Sequence, residues 1–318
     1  MKTSIEKTWE VASQKASNSL LNPDDYLIFL VDENSDKKTY GGVDGSGSHL
    51  LAIEVKTKPP TAAIRSDALD YFRHQRKDFD TWLMVLRLRN KELSSVFGRL
   101  CQDLIDEIAE IPHENDLVKL VHRRLTLWQK LFNRGNARLL ADFQVKGLLA
   151  ELLSMNSILD EQRYGISEVA AAWVGPYGGD QDFQFSDIVI EIKAVGPGAQ
   201  GISISSLKQL DSRLPISLSV WTLRPAATKE TAAITLNGIV AQLEQRLAPE
   251  SSALTFFRDA LLEAGYVEQS HYDGIAFEPM QVEHFTVDDD FPRLTVDTVP
   301  EGIDSAVYVI SLKRLRKQ

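Results

Sequence analysis

Apolar and polar positions alternate through residues 26–91. The segments YLIFLVDE, HLLAIEVKT, ALDYFRHQRK and TWLMVLRLR are short, rich in branched and aromatic side chains, and separated by turn-forming residues. This pattern predicts the strands of an antiparallel meander. Downstream the apolar period lengthens to three and four. Leu93, Val96, Phe97, Leu100, Leu104, Ile108 and Ile111 recur on one helical stripe, Leu117, Val121, Leu125, Trp128 and Phe132 on a second, and Leu148, Leu152, Met155 and Leu159 on a third. Gly147 interrupts the third helix at a cost of about 1 kcal/mol relative to Ala, which predicts a close approach there. Beyond Trp173 the chain reads as strand, loop, short helix and strand, through DIVIEIKAV, GPGAQG, SISSLKQLD and ISLSVWTL. Two amphipathic helices follow, TLNGIVAQLEQRL and SALTFFRDALLEAG, the second stopped by Gly265, and strands such as AVYVISL close the chain. The order predicts an α/β protein in four parts: a β-rich segment over 1–92, a helical connector over 93–135, an α/β core over 136–225 and an α+β extension over 226–318.

A chain of 318 residues with 43 % hydrophobic content buries a core without covalent staples. Its apolar runs fall well short of the roughly 20 residues that span a bilayer, so no membrane association is expected. The start MKTSIEKTWEVASQ has no apolar stretch of signal-peptide length, and the lone Cys101 excludes an intramolecular disulfide. Both fit a cytoplasmic location. Cys101 lies on an apolar helical face and is expected simply to pack. The net charge of −10 argues against a protein that grips nucleic acid unaided, because phosphate neutralisation supplies most of that affinity. A local patch or a partner subunit would have to hold DNA, if DNA is bound.

Candidate chemistry occurs twice in nearly the same form. GGVDGSGSHLLAIEVKTK carries Asp44, Glu54 and Lys56, and QDFQFSDIVIEIKAV carries Asp182, Glu191 and Lys193. Two carboxylates suit Mg²⁺, a hard cation that takes oxygen ligands, and an adjacent lysine can steady an attacking water and the developing charge of phosphodiester hydrolysis. Glu and Lys two apart on a strand point to one face. Ile188, Ile190, Ile192 and Ala194 then form the opposite face in the second set, as Ile53 and Val55 do in the first, so periodicity does not choose between them. Context does. Glu191 follows a long helix carrying Glu151, and precedes a glycine-rich turn, a short helix with Gln209 and a strand on which Ile216, Leu218 and Val220 share a face. Glu54 sits among strands whose faces carry Lys56, Lys58, Arg73 and Arg87, which reads as an ordinary half-buried, solvated sheet face.

The motifs GLLAELL (147–153), AAWVGPYGGDQDF (171–183) and IVIEIKAV (188–195), with SSLKQLD (205–211), DDFPRL (289–294) and the VFGRLCQDL helix, resemble the PD-(D/E)XK superfamily. More narrowly they resemble prokaryotic PD-(D/E)XK motif proteins of restriction and phage-defence loci. The resemblance covers nearly the whole chain; the proline of the superfamily's name is replaced by Gln181. It implies a restriction-endonuclease-like core, a mixed central sheet flanked by helices, over residues 136–225. It also implies a DNA endonuclease dependent on Mg²⁺, with Mn²⁺ as substitute, in which Asp182 and Glu191 are metal ligands, Glu151 a further acid from the helix, Lys193 the water-positioning lysine and Gln209 a supporting residue. ATPase and methyltransferase subunits are the implied partners. The alternative is a catalytically inactive nuclease-fold subunit that scaffolds a defence complex.

Other signals are weaker. Gly196, Gly198 and Gly201 match G-x-G-x-x-G, but the preceding strand carries charge and the acidic residue expected about 20 positions on is missing. No G-x-x-x-x-G-K-[ST] string occurs. DENSDKKTYGGV has Lys37 and Val43 where a calcium loop needs Gly and Glu, and reads as a hairpin connection. His113 and His122 lack a third zinc ligand. Asp288, Asp289 and Asp290 read as a solvated acidic loop, and Lys313, Arg314, Arg316 and Lys317 as a solvated basic tail.

Overall fold

The computed structural model describes the chain except residues 1–2, 19–20, 23–24, 62–67, 112, 134–138 and 317–318, and no side chains at 114–115 or 130–133. Two compact units result, Met1–Arg138 and Leu139–Gln318. No helix among the described residues is long and apolar enough to cross a membrane.

In the first unit, helix α1 (Ser4–Ala16) buries Ile5, Trp9 and Ala12. Strands β1 (Tyr26–Leu30), β2 (Thr39–Asp44), β3 (His49–Val55), β4 (Leu69–Arg76) and β5 (Thr81–Leu88) form one antiparallel sheet in the order β1-β2-β3-β5-β4. That order departs from a simple meander in one step: β3 pairs with β5, and β4 takes the edge. Strand β2 lies where pattern alone assigns the connection, because Gly41 and Gly42 weaken strand propensity. Contacts explain them. A Cβ on Gly41 would stand 2.6 Å from Ile5 Cδ1, and one on Gly42 2.2 Å from Leu27 O, so α1 and β1 close on β2 only where side chains are missing.

Helices α2 (Ser94–Ala109) and α3 (Glu114–Asn133) follow, with Val96, Phe97, Leu100, Leu104 and Ile108 buried on the first and Leu117, Val121, Leu125 and Trp128 on the second. The Phe132 side chain lies outside the described residues. Cys101 is fully buried, and burial pushes its thiol up, so it packs as expected. A polar bridge that periodicity does not reveal joins the two helices. Arg124 is completely buried and pairs with the Asp103 carboxylate, which also accepts a 2.9 Å bond from Trp128 Nε1. Asp103→Ala removes the carboxylate of a buried ion pair, so urea unfolding of the variant is expected to register a loss of about 3–5 kcal/mol. A loss below about 1 kcal/mol would mean that Arg124 is held without Asp103.

In the second unit, α4 (Asp142–Glu161) and α5 (Ile166–Ala172) precede strands β6 (Phe183–Gln184), β7 (Val189–Val195), β8 (Gly201–Ile204), β9 (Ile216–Ala226) and β10 (Ile234–Thr235). Helices α6 (Leu236–Leu247) and α7 (Ser251–Ala264), strands β11 (Ala276–Val287) and β12 (Tyr308–Ser311), and α8 (Leu312–Leu315) complete it. The central sheet runs β10-β11-β9-β7-β6 and is mixed: β7 and β9 are parallel, the other pairs antiparallel. Its β7 strand is covered on both sides. Ile190, Ile192 and Ala194 pack into a core with Leu148, Leu152 and Met155 of α4 and with residues of α6 and α7. Val189 and Val195 pack with Ile202, Ile204, Ile216, Leu218, Val220 and Ile310, beneath the separate β8–β12 pair. This is the mixed α/β, restriction-endonuclease-like architecture.

Two local expectations give way here. SSLKQLD forms turns and not a helix, because Gln181 Nε2 donates to Lys208 O at 2.7 Å and holds the segment open. The basic C-terminus is not a loose tail: Leu312 and Leu315 are buried, and Arg316 donates to both carboxylate oxygens of Glu283 at 2.8 and 2.6 Å. Lys317 lies outside the described residues.

Candidate active site

Glu191 and Lys193 project from the same face of β7, and Lys193 Nζ lies 2.6 Å from Glu191 Oε1. Because the second core covers that face, Glu191 is only 1 % exposed. Asp182 stands immediately before β6, whose Phe183 pairs with Ile190 of β7 and bridges to Trp173. The Asp182 carbonyl accepts from Val174 N at 2.9 Å and Gly175 N at 3.0 Å, and its Oδ2 accepts from Ile192 N at 2.6 Å. The carboxylate is therefore clamped against the strand that carries Glu191 and Lys193.

Glu151 reaches the same place from α4, where its Oε2 accepts from Trp173 Nε1 at 2.8 Å. Gly175 shows how near the two acids come. A Cβ there would sit 2.9 Å from Asp182 Oδ1, 3.2 Å from Asp182 Cα and 3.5 Å from Glu151 Oε2. Gly175→Ala must displace the Asp182 carboxylate, an overpacking cost of about 1–3 kcal/mol. If Asp182 and Glu191 hold a divalent ion, calorimetric Mn²⁺ affinity is expected to fall about 10- to 100-fold in this variant; an unchanged affinity would mean that Asp182 is not a ligand.

Gln209 completes the cluster. Its Oε1 accepts from Ser205 N at 2.8 Å and from Lys193 Nζ at 3.2 Å, so the backbone fixes the amide and the amide fixes the ammonium. Gln181, in the position of the missing proline, is buried and anchors the Gln209 turn through its contact to Lys208 O. Neither Trp173 nor Gln181 stood out by charge or spacing; both lie inside the WVGPYGGDQD stretch.

Burial dominates the electrostatics. Desolvation first, then the Asp182 charge, raises Glu191 to about 8 against the pull of Lys193. Desolvation raises Asp182 to about 6, opposed by the Ile192 N–H and by Lys193. Glu151 is pushed well above the ordinary carboxylate range by desolvation and then by Asp182, while the Trp173 N–H opposes the rise. Among the described residues no group of three or more His, Cys, Asp or Glu side chains is arranged as a ready metal cage. Lys193, Ile192 N and Trp173 each bond one oxygen of a different carboxylate. Glu191 Oε2, by contrast, is buried without any hydrogen-bond partner. An orphaned carboxylate oxygen beside Asp182 fits Mg²⁺, which is held by one or two carboxylates and keeps most of its waters.

The rival set is answered internally. Asp44 Oδ1 accepts from Ser46 N and Ser48 N at 2.9 Å each, and Glu54 Oε2 accepts from Tyr40 Oη and Arg76 Nη1 at 2.6 Å each. Glu54 is thus paired and half-buried, not solvated. The glycine-rich run 196–201 leads from β7 into β8 and not into a helix, so it lacks the element that would receive a pyrophosphate. Asp288, Asp289 and Asp290 are exposed in a loop where Asp288 Oδ1 caps Asp290 N at 3.1 Å. Gly147 brings a further correction: a Cβ there would meet nothing within 4 Å, so no part of the protein approaches it closely.

No curated protein and no solved structure matches the chain. A family model described as "Putative PD-(D/E)XK family member, (DUF4420)" matches residues 5–313, which takes in both units and every residue of the cluster. With Asp182, just before β6, brought against Glu191 and Lys193 on β7 of a mixed sheet, the chain belongs to this PD-(D/E)XK family, DUF4420.

Proposed function

We propose that the protein is a divalent-cation-dependent endodeoxyribonuclease that uses Mg²⁺ and accepts Mn²⁺, acting in a restriction or phage-defence system. The observation that carries this reading is the orphaned Glu191 Oε2, buried beside a clamped aspartate and a tethered lysine. Asp182 and Glu191 would hold the ion, with Glu151 reaching in from α4. When bound, the cation offsets the negative charge that develops as a phosphodiester is hydrolysed. Lys193, fixed between Glu191 Oε1 and Gln209 Oε1, orients the attacking water and donates to the phosphoryl oxygen as charge builds there. Gln209 positions Lys193 and touches no reacting atom. The net charge of −10 supports a setting in which other subunits, an ATPase or a methyltransferase, do much of the holding of DNA.

The same charge favours a second reading, a scaffold subunit with the nuclease fold and no turnover. Supercoiled plasmid with Mg²⁺ or Mn²⁺, with and without the products of neighbouring genes, separates the two. Nicking that requires the cation and disappears in Asp182→Asn supports the enzyme. Failure of every combination to nick, with assembly intact in Asp182→Asn, supports the scaffold.

A further inference from the structure

Lys146 and Gly147 lie on α4 about one turn before Glu151, and Lys146 reaches Gly196, the residue that follows β7. Gly147 weakens the middle of a helix with no compensating contact, since space for a side chain is open there. Lys146 is half-buried, and desolvation lowers its proton affinity. Among the described residues no carboxylate pairs with it; its Nζ instead lies 3.7 Å from where a Cβ of Gly196 would be. Long surface lysines ordinarily keep their ammonium in water or on an acid. Here a cation is partly desolvated beside the Gly196 backbone, next to open space at Gly147, which lies four residues before Glu151 and so on the same face of α4. Lys193, and not Lys146, is the cation that perturbs Glu151, Asp182 and Glu191, which sets Lys146 a step away from the reacting atoms.

We propose that α4 carries a phosphate subsite: the substrate strand crosses the open helix face at Gly147, and a backbone phosphate neighbouring the scissile one pairs with Lys146 Nζ beside Gly196. The proposal rests on the nuclease reading for its substrate, but its test does not need turnover. Lys146 then acts as a positioning residue, its ammonium exchanging partial desolvation for a charge-assisted bond to a phosphate oxygen. Gly147 is needed because the sugar-phosphate backbone occupies the volume a side chain would fill.

Fluorescence anisotropy of the full chain with labelled single- and double-stranded 30-mers, in EDTA and across a salt series, reads the subsite directly. Lys146→Ala is expected to weaken binding about tenfold and to make the log–log salt slope shallower by about 0.7–0.9, with Lys146→Arg recovering most of both. Gly147→Leu, whose side chain enters open space, is expected to weaken binding while its melting temperature holds or rises. Calorimetric Mn²⁺ binding should be unchanged in all three variants. Affinity and salt slope of Lys146→Ala within twofold of wild type would overturn the subsite, as would a wild type that binds no DNA at the lowest salt. A wild type that binds but never nicks, with binding still lost in Lys146→Ala, would sink the nuclease reading and leave the subsite standing.

Discussion

The metal-free protein is expected to lose stability as pH rises from about 5 to 8, and Mn²⁺ is expected to restore it. The sign follows from Glu191, whose folded proton affinity is raised from the ordinary 4.5 to about 8. Below its unfolded value the group is protonated in both states, and its stabilising contribution is complete. As pH climbs toward 8 the unfolded chain ionises freely while the folded one must keep a proton or bury a charge, so stability drains away across that window. At about 1.4 kcal/mol per decade of proton affinity, the Glu191 shift corresponds to about 5 kcal/mol. Asp182, raised to about 6, adds to the fall in the lower part of the same window. Glu191→Gln carries the neutral form permanently. Its amide still leaves a buried polar atom unpartnered, which takes back about 1–3 kcal/mol, so the variant is expected to gain about 2–4 kcal/mol over metal-free wild type at pH 8. Thermal melts of both proteins at pH 5, 6.5 and 8, with and without Mn²⁺, check this. Wild type should show a falling melting temperature that the cation rescues; Glu191→Gln should be flatter in pH and indifferent to the cation. A wild type with no pH trend and no response to Mn²⁺ would show that Glu191 is solvated and holds no ion.

The same residue marks the limit of what the chain discloses by pattern. Asp44-Glu54-Lys56 and Asp182-Glu191-Lys193 share the Glu-x-Lys spacing and the strand alternation, with Asp ten and nine residues ahead of Glu, so the pattern within each strand does not separate them. Partners distant in sequence do. Glu54 meets Arg76 from β4 and Tyr40 from β2, whereas Glu191 Oε2 meets nothing. Strand β7 was legible because branched residues alternate with two charges, and α4 because its apolar stripe is long. Strand β2 was not, since Gly41 and Gly42 are set by what presses on them from α1 and β1. The turn at Gln209 reads as a helix because Leu207 and Leu210 are spaced like one; a side chain 27 residues earlier, Gln181, takes the carbonyl that a helix would have bonded. The cluster was readable as residue types in order, and its clamps, Trp173 on Glu151 and Ile192 N on Asp182, belong to tertiary contacts that no periodicity encodes.

Lys193→Ala is expected to slow metal-dependent nicking by about 10²- to 10³-fold, the usual loss when one donor aimed at developing charge is removed from a water-poor site. Two consequences of the substitution oppose each other in metal binding. Without the ammonium, Glu151, Asp182 and Glu191 each lose the cation that favours their ionised forms, so their proton affinities rise. A divalent ion, however, no longer shares the site with a positive neighbour, and Glu191 Oε1 is freed to join Oε2 as a donor. At pH 8, where proton competition is weakest, Mn²⁺ affinity should therefore be retained or tighter while turnover is lost. Gln209→Ala tests the tether separately: Lys193 keeps its Glu191 contact but loses the amide fixed by Ser205 N, and a fall of about tenfold in rate with unchanged Mn²⁺ affinity is expected. Single-turnover nicking and calorimetry on the two variants resolve rate from binding. If Lys193→Ala nicks at the wild-type rate, the lysine serves only to balance the charge of Glu191, and the water-orienting role falls.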